Sequence, residues 1–195
     1  MRRVFLLTLT TTIALVCALA AFGAPTRSTA SGTLVVDNSF TIKTSDPQRA
    51  FDPTASIIDR AIFDTLFTYK GGNLSNPIPL LVQSWKATEG AKTFTFQLKK
   101  NVHFADGKPL TSADVVFSLN RLINLKGNPS FLLDGITSVE TPDALTVVFH
   151  KSDPDPAFIS KGSYAVFAVL DNKTVQQHGG TSGPDAKSTD AANTA

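Results

Sequence analysis

The sequence predicts a mixed α/β fold, and three observations lead to that prediction. Residues 93–99 alternate strictly between polar and apolar side chains, as a half-buried β-strand does. Farther along, Thr111 and Asp114 form a capping-box pattern in front of a segment with apolar residues at helical spacing. The 195 residues are 42% hydrophobic and carry a net charge of +2, a composition typical of folded globular proteins.

Residues 1–23 predict a signal peptide for export. A short basic segment that ends at Arg3 is followed by an uncharged, largely apolar run that extends to Thr26. Ala21 and Gly23 fit the small-residue pattern of a cleavage site, which places the start of the mature chain near Ala24. An uncleaved membrane anchor is the alternative, because about 18 or more consecutive apolar residues can span a bilayer.

The cysteine and the first two arginines bear on the route of export. Cys17 follows Val16, whereas a lipidation site has a small residue before the cysteine, so the protein is not predicted to be a lipoprotein. One cysteine also excludes a disulfide framework within the chain. Arg2 and Arg3 are similar to the core of a twin-arginine signal. Two basic residues are also common in ordinary signals, so both routes stay open.

After the signal, the sequence predicts a linker, a strand and a capped helix. Residues 24–32 are small and polar, as in linkers, and residues 33–36 form a short β-branched strand. Asp52 can cap a helix that starts with Pro53, where the missing N–H costs nothing. Gly71 and Gly72 would end this unit. The predicted buried face of the helix consists of Ile58, Ile62 and Leu66.

In the middle of the chain, a strand, a turn and a helix follow one another. The apolar face of the strand at residues 93–99 consists of Phe94, Phe96 and Leu98. Asp106 and Gly107 predict a turn, because glycine adopts a positive φ at little cost. The helix that begins after Thr111 has an apolar stripe of Val115, Leu119 and Leu122.

The last third predicts further strands and a disordered end. Residues 136–140 and 145–150 read as two strands joined by a turn, and residues 164–170 as another buried strand. Asp171 opens a short helix. Residues 179–195 contain almost nothing apolar, so we expect them to be disordered.

The sequence contains no pattern that predicts catalysis. None of His103, His150 and His178 lies at a metal-ligand spacing from another histidine, cysteine or carboxylate. There is no phosphate-binding loop and no dinucleotide fingerprint. The near balance of charge argues against a nucleic-acid partner, which would require a basic face. We therefore predict no catalytic residue, no metal and no cofactor, and the protein is not expected to be an enzyme.

Four segments in the middle of the chain carry a resemblance to a known family. They are Asp52-Pro53, residues 62–66 (Ile-Phe-Asp-Thr-Leu), residues 79–85 (Pro-Leu-Leu-Val-Gln-Ser-Trp) and the long run from Lys92 to Leu119. In this order they resemble the family 5 extracellular solute-binding proteins, the peptide- and nickel-binding receptors of ABC importers. The resemblance implies the N-terminal part of a two-lobed periplasmic-binding-protein-like fold of the type II class.

The resemblance also implies a function and a division into domains. Such a protein captures a peptide or another small solute at the periplasmic or extracellular face of the cytoplasmic membrane and delivers it to ABC permease subunits. Residues 33–71 would start the first lobe, residues 72–160 would form an accessory α/β domain, and residues 161–178 would return to the first lobe. Family members are well over twice this length, so the chain is expected to be a fragment or a truncated product.

Ligand-binding residues follow from the resemblance alone. It implies contacts with the solute from a loop after the first strand and from one aromatic residue, namely Asn38, Ser39, Phe40, Thr41 and Phe131. For each of them the alternative is ordinary loop packing or, for an aromatic residue, a place in the core. Two other functions stay open: an exported α/β interaction or adhesion module without a transport role, and a secreted hydrolase that lacks its catalytic half.

Overall fold

The structure is a computed structural model that describes residues 42–186. The predicted signal peptide, the linker and the strand at residues 33–36 lie outside the described residues. The helices are α1 (Pro53–Ile62), α2 (Ser112–Asn124), α3 (Phe158–Lys161) and α4 (Asn172–Gln177), with two 3-10 helices at Asn128–Leu133 and Ala165–Phe167. The strands are β1 (Phe67–Lys70), β2 (Asn73–Pro79), β3 (Val82–Thr88), β4 (Thr93–Leu98), β5 (Ile136–Asp143) and β6 (Thr146–Lys151).

The strands form two antiparallel sheets. β1 and β2 make a two-stranded hairpin, and the other strands form a four-stranded sheet in the order β3-β4-β6-β5. Gly71 lies in the hairpin turn at a φ of 58°, which favours glycine. The glycine pair therefore turns a hairpin rather than ending a unit. The two strands predicted at residues 136–140 and 145–150 are confirmed as β5 and β6, although β5 extends to Asp143.

A cluster of aromatic rings fills the core between the sheet and the helices. The alternation in β4 buries one face of the strand, as predicted. The Phe96 ring lies 5.4 Å from that of Phe67 and 5.3 Å from that of Phe149, measured between centroids. Helix α2 covers the cluster with the predicted stripe, which is fully buried: Val115, Leu119 and Leu122. Burial of these large apolar side chains is the main driving force for folding.

Helix α1 buries a different face from the predicted one. Its N-cap is Asp52, as predicted, but the helix ends at Ile62, so Leu66 lies beyond it. The buried positions are Ala55 and Asp59, whereas Ile62 is 63% exposed. The predicted stripe is therefore wrong, because spacing alone does not show where a helix ends or which side meets the domain.

Residues 165–170 are buried and Tyr164 is 51% exposed, but the predicted segment 164–170 is not a strand. Ala165–Phe167 form a 3-10 helix, and the chain then runs extended without joining a sheet. Its backbone bonds to other partners: the N–H of Val169 donates to the carbonyl of Asp64, and the N–H of Leu170 donates to the hydroxyl of Ser118. The apolar composition predicted the burial of residues 165–170 correctly. The backbone hydrogen bonds that a neighbouring strand would have supplied come instead from a loop carbonyl and a side-chain hydroxyl.

The N-terminal end of α2 fastens the segment that follows residue 170. One oxygen of Asp114, Oδ2, accepts hydrogen bonds from the backbone N–H and the hydroxyl of Thr111, as the capping pattern predicted. The other oxygen, Oδ1, accepts from the backbone and side-chain nitrogens of Asn172. Within the tail that was expected to be disordered, the Ser182 carbonyl accepts a 2.7 Å hydrogen bond from Asn124. Residues 187–195 lie outside the described part.

A buried ion pair connects the loop before α1 to α2. Arg121 Nη2 lies 2.6 Å from Asp46 Oδ2, and both side chains are almost completely buried. Arg121 Nη1 also donates to Asp46 Oδ1 and to Gln48 Oε1. The amide of Gln48 in turn donates to the carbonyl of Ser118, one turn earlier on α2. This network supplies hydrogen bonds to polar groups that would otherwise be buried at a high cost.

We expect Arg121→Met to lower the free energy of unfolding by about 3–5 kcal/mol, because it leaves the Asp46 carboxylate buried without its cation. Urea unfolding followed by the fluorescence of Trp85 measures this change.

The double variant Asp46→Leu with Arg121→Met is the informative control. It removes both charges, so it should be more stable than the single variant. Arg60→Met removes an arginine whose side chain bonds only a loop carbonyl, that of Ser163, among the contacts described, and should cost about 1 kcal/mol or less. Equal losses in the single and double variants would contradict a stabilising pair.

Candidate functional site

Phe131 is the one predicted ligand residue that the structure describes, and its ring faces outward. It lies in the 3-10 helix Asn128–Leu133, whose buried residues are Pro129, Leu132 and Leu133. Burial of these neighbours fixes the short helix on the domain and leaves Phe131 55% exposed. The other predicted ligand residues, Asn38, Ser39, Phe40 and Thr41, lie outside the described residues.

Phe51 lies against Phe131, and we call these two residues the aromatic pair. Their ring centroids are 6.0 Å apart with an interplanar angle of 80°, an edge-to-face arrangement. Phe51 is 47% exposed and directly precedes the N-cap of α1. The fold thus brings together two segments that are far apart in sequence.

Sequence reasoning missed Phe51, although a signal was present. An apolar residue before an N-cap usually packs on the fourth residue of the helix. In α1 that residue is Ser56, which offers no apolar side chain. A phenylalanine without this local contact must pack elsewhere or stay exposed, and here it packs on Phe131.

The polar groups next to the aromatic pair bond within the chain. Asp52 Oδ1 accepts hydrogen bonds from the backbone N–H groups of Thr54 and Ala55. The Ser56 hydroxyl donates to the carbonyl of Asp52, and the Ser130 hydroxyl donates to that of Gly127. Because these polar groups already have partners, the surface around the two rings offers a ligand mainly apolar contact.

A cleft of about 400 Å³ lies between the end of α1, α2 and α4. Its apolar lining consists of Ile62, Phe63, Phe104, Val169, Leu170 and Val175. Its charged residues pair with one another or with a neighbour: Asp46 with Arg121, and both Asp106 and Asp171 with Lys108. The cleft therefore offers an apolar surface with a rim of paired charges, in which two carboxylates share Lys108.

Lys108 determines the ionisation of the acid at the start of α4. Burial alone would raise the pKa of Asp171, but hydrogen bonds from Lys108 and Thr174 hold the pKa of this carboxyl far below its usual range. The lysine Nζ is 2.8 Å from Asp171 Oδ2 and 2.9 Å from the Thr174 hydroxyl. Asp171 therefore stays ionised and also caps α4 through the backbone N–H groups of Lys173 and Thr174.

Asp59 is a buried acid on the inner side of α1. The residue is 1% exposed, and neither carboxylate oxygen has a hydrogen-bond partner in the part of the chain that the structure describes. Burial, followed by the negative charges of Asp46 and Asp52, raises its pKa to about 6. The sequence prediction did not foresee this group, because it placed the buried face of the helix elsewhere.

The exposed side chains of residues 42–186 are suited to binding a ligand by apolar contact. Between residues 42 and 186, no group of three or more histidine, cysteine, aspartate or glutamate side chains could hold a metal ion. Over the same range, no helix combines the length and the apolar character needed to cross a bilayer. The aromatic pair and the apolar cleft are two features of this part of the chain that can bind a ligand by apolar contact.

Solved structures with the same fold are periplasmic binding proteins. *Haemophilus influenzae* OppA in complex with the peptide RPPGFSPFR superposes with a TM-score of 0.66 at 24% identity, over 70% of this chain and 30% of that one. The binding protein AgaA from A. tumefaciens R10, in complex with agropinic acid, gives 0.64 at 30% identity, over 74% and 29% of the two chains. The fold is therefore that of the OppA-type periplasmic binding proteins, as predicted.

The chain belongs to the bacterial extracellular solute-binding proteins, family 5, whose middle-region model matches residues 76–192. This confirms the resemblance found in the sequence. Among curated relatives, the uncharacterized protein YhjP of *Bacillus subtilis* is 34% identical over 131 residues, which is 67% of this chain and 19% of that protein. The probable D,D-dipeptide-binding periplasmic protein DdpA of *Escherichia coli* is 29% identical over 83% of this chain and 31% of its own length. The chain thus spans less than a third of these relatives.

We expect Asp59→Asn to stabilise the protein at pH 7 by about 1–2 kcal/mol, because the variant cannot carry the buried charge. The folded-state pKa of Asp59 lies above its unfolded value of 3.8, so its protonation favours folding. The wild-type contribution is therefore greatest below pH 4, declines up to about pH 6 and is lost above that. Thermal unfolding from pH 4 to pH 7 should show a smaller decline in the variant.

Asp64→Asn is the matched control, since this residue follows α1 closely and is exposed. It should keep the wild-type dependence on pH. An Asp59→Asn variant with an unchanged profile would show that Asp59 is not buried as described.

Proposed function

We propose that the protein is the substrate-binding component of an ABC-type importer and captures peptides or a related small solute. Membership of the solute-binding family over residues 76–192 carries this proposal. Relatives support the ligand class: several are named as peptide-binding proteins, and OppA of *Haemophilus influenzae* was solved with a bound peptide. Agropinic acid in AgaA is the reason to include other small solutes.

The proposal extends to location and partners. The protein acts at the periplasmic or extracellular face of the cytoplasmic membrane, after export by the signal at residues 1–23, and is not a lipoprotein. It delivers the solute to ABC permease subunits and has no catalytic role. DdpA and OppA, both named as periplasmic, support this location.

The solute contacts in this proposal are those that the resemblance implies. Phe131 contacts the solute from the described domain, and residues 38–41, which lie outside the described residues, are the other proposed contacts. Phe131 is 55% exposed, so its ring is accessible to a solute, which supports its assignment. The division into a first lobe at residues 33–71, an accessory domain at residues 72–160 and a return at residues 161–178 stays a prediction.

Deletion of the gene in its host tests the proposal. Cells that lack the gene should lose most of their uptake of at least one member of a panel of radiolabelled di- and tripeptides. The gene supplied on a plasmid should restore uptake, and deletion of the partner permease should give the same defect.

Two variants sharpen this experiment. Phe131→Ala should restore uptake only partly, since it removes a solute contact. Leu74→Ala, which removes an exposed apolar side chain on β2, should restore uptake completely. Unchanged uptake of every peptide in the deletion strain would contradict capture of peptides.

A further inference from the structure

We propose that Phe51 and Phe131 together form an apolar subsite that receives an aromatic or branched aliphatic side chain of the captured solute. This inference rests on the proposed function and specifies what the site selects. The resemblance implied only Phe131, and the structure adds a second ring from another segment of the chain.

Contacts within the domain hold both residues of the pair in place. Buried neighbours in the 3-10 helix Asn128–Leu133 fix the backbone that carries Phe131. Phe51 directly precedes Asp52, whose carboxylate caps the first turn of α1 and fixes the start of the helix. Each ring also restricts the other through its edge-to-face contact. A site that is already ordered loses little conformational entropy on binding, so even a small apolar contact contributes to affinity.

The chemistry around the pair favours an uncharged apolar group. The first N–H groups of α1 would attract an anion, but Asp52 already bonds to them and adds a negative charge. The Ser130 hydroxyl donates to the carbonyl of Gly127. An apolar side chain that covers the exposed parts of both rings removes apolar surface from water and requires no polar partner.

Exposure separates this pair from the other aromatic contacts of the domain. The phenylalanines of the core cluster are 2% exposed or less, namely Phe67, Phe94, Phe96, Phe149 and Phe158. Phe51 and Phe131 contact each other and yet remain about half exposed. Trp85 is 45% exposed, but it contacts the buried ring of Phe67. Among residues 42–186, the pair is therefore the aromatic contact in which both rings are exposed.

A fluorinated peptide tests the inference with the full chain. Binding of Ala-Phe-Ala that carries 4-fluorophenylalanine is followed by ¹⁹F NMR, with unlabelled Ala-Leu-Ala and Ala-Ser-Ala as competitors. The wild type should prefer the phenylalanine and leucine peptides to the serine peptide by about tenfold. Phe51→Ala and Phe131→Ala should each reduce that preference about fivefold, because each removes one ring from the subsite.

Leu74→Ala is the matched control and should keep the preference, since it removes an exposed apolar side chain from β2 and leaves both rings in place. Because both rings are half exposed, the alanine variants should also keep the wild-type circular dichroism spectrum and melting temperature within a few degrees.

The outcomes separate this inference from the proposed function. Binding of all three peptides with equal affinity, or a preference that survives Phe51→Ala, would overturn the subsite and leave solute capture intact. Failure of the wild type to bind any of the peptides would overturn both the subsite and the capture of peptides. A dimer that dissociates in Phe51→Ala, measured by light scattering, would show that a second copy covers the pair and would also overturn the subsite.

Discussion

The ion pair between Asp46 and Arg121 is the interaction on which the arrangement of the domain depends. It joins the loop that leads into α1 to the helix that covers the sheet, and both charges lie in the interior. Gln48 extends the pair to the backbone of α2 at Ser118, and the Ser118 hydroxyl in turn accepts from the backbone N–H of Leu170. The loop before α1 and the segment at Leu170, which are distant in sequence, thus both attach to α2. A buried network of this kind specifies one arrangement, because any other would leave charges without partners.

The parts of the fold that could be predicted from the sequence are those with local causes. The alternation of β4 and the capped start of α2 depend on neighbours within a few residues, and both were recognised correctly. The exposed side of α1 could not be predicted, because spacing does not reveal which face meets the domain. In the same way, the segment after Tyr164 is buried without being a strand, since its hydrogen-bond partners come from distant loops.

The residues of the candidate site show the same difference between features with local causes and features that depend on distant contacts. Phe131 was reached through resemblance to a family, whereas Phe51 required the three-dimensional contact. The charged residues of the cleft could be read from the sequence one by one, but not their pairing through Lys108 and Arg121. Site chemistry in this domain therefore arises from contacts between segments, and the sequence alone supplies the residue types without their partners.

The two oxygens of Asp114 have a consequence for the order in which the domain assembles. One oxygen caps α2 through a residue three positions away, a contact that can form as soon as the helix does. The other waits for Asn172, 58 residues later in the chain. Contacts of such different sequence separation form at different stages, because closing a long loop is slower than closing a short one. The cap of α2 can therefore form before Asn172 is in place, and attachment of the later segment follows as a later step of folding.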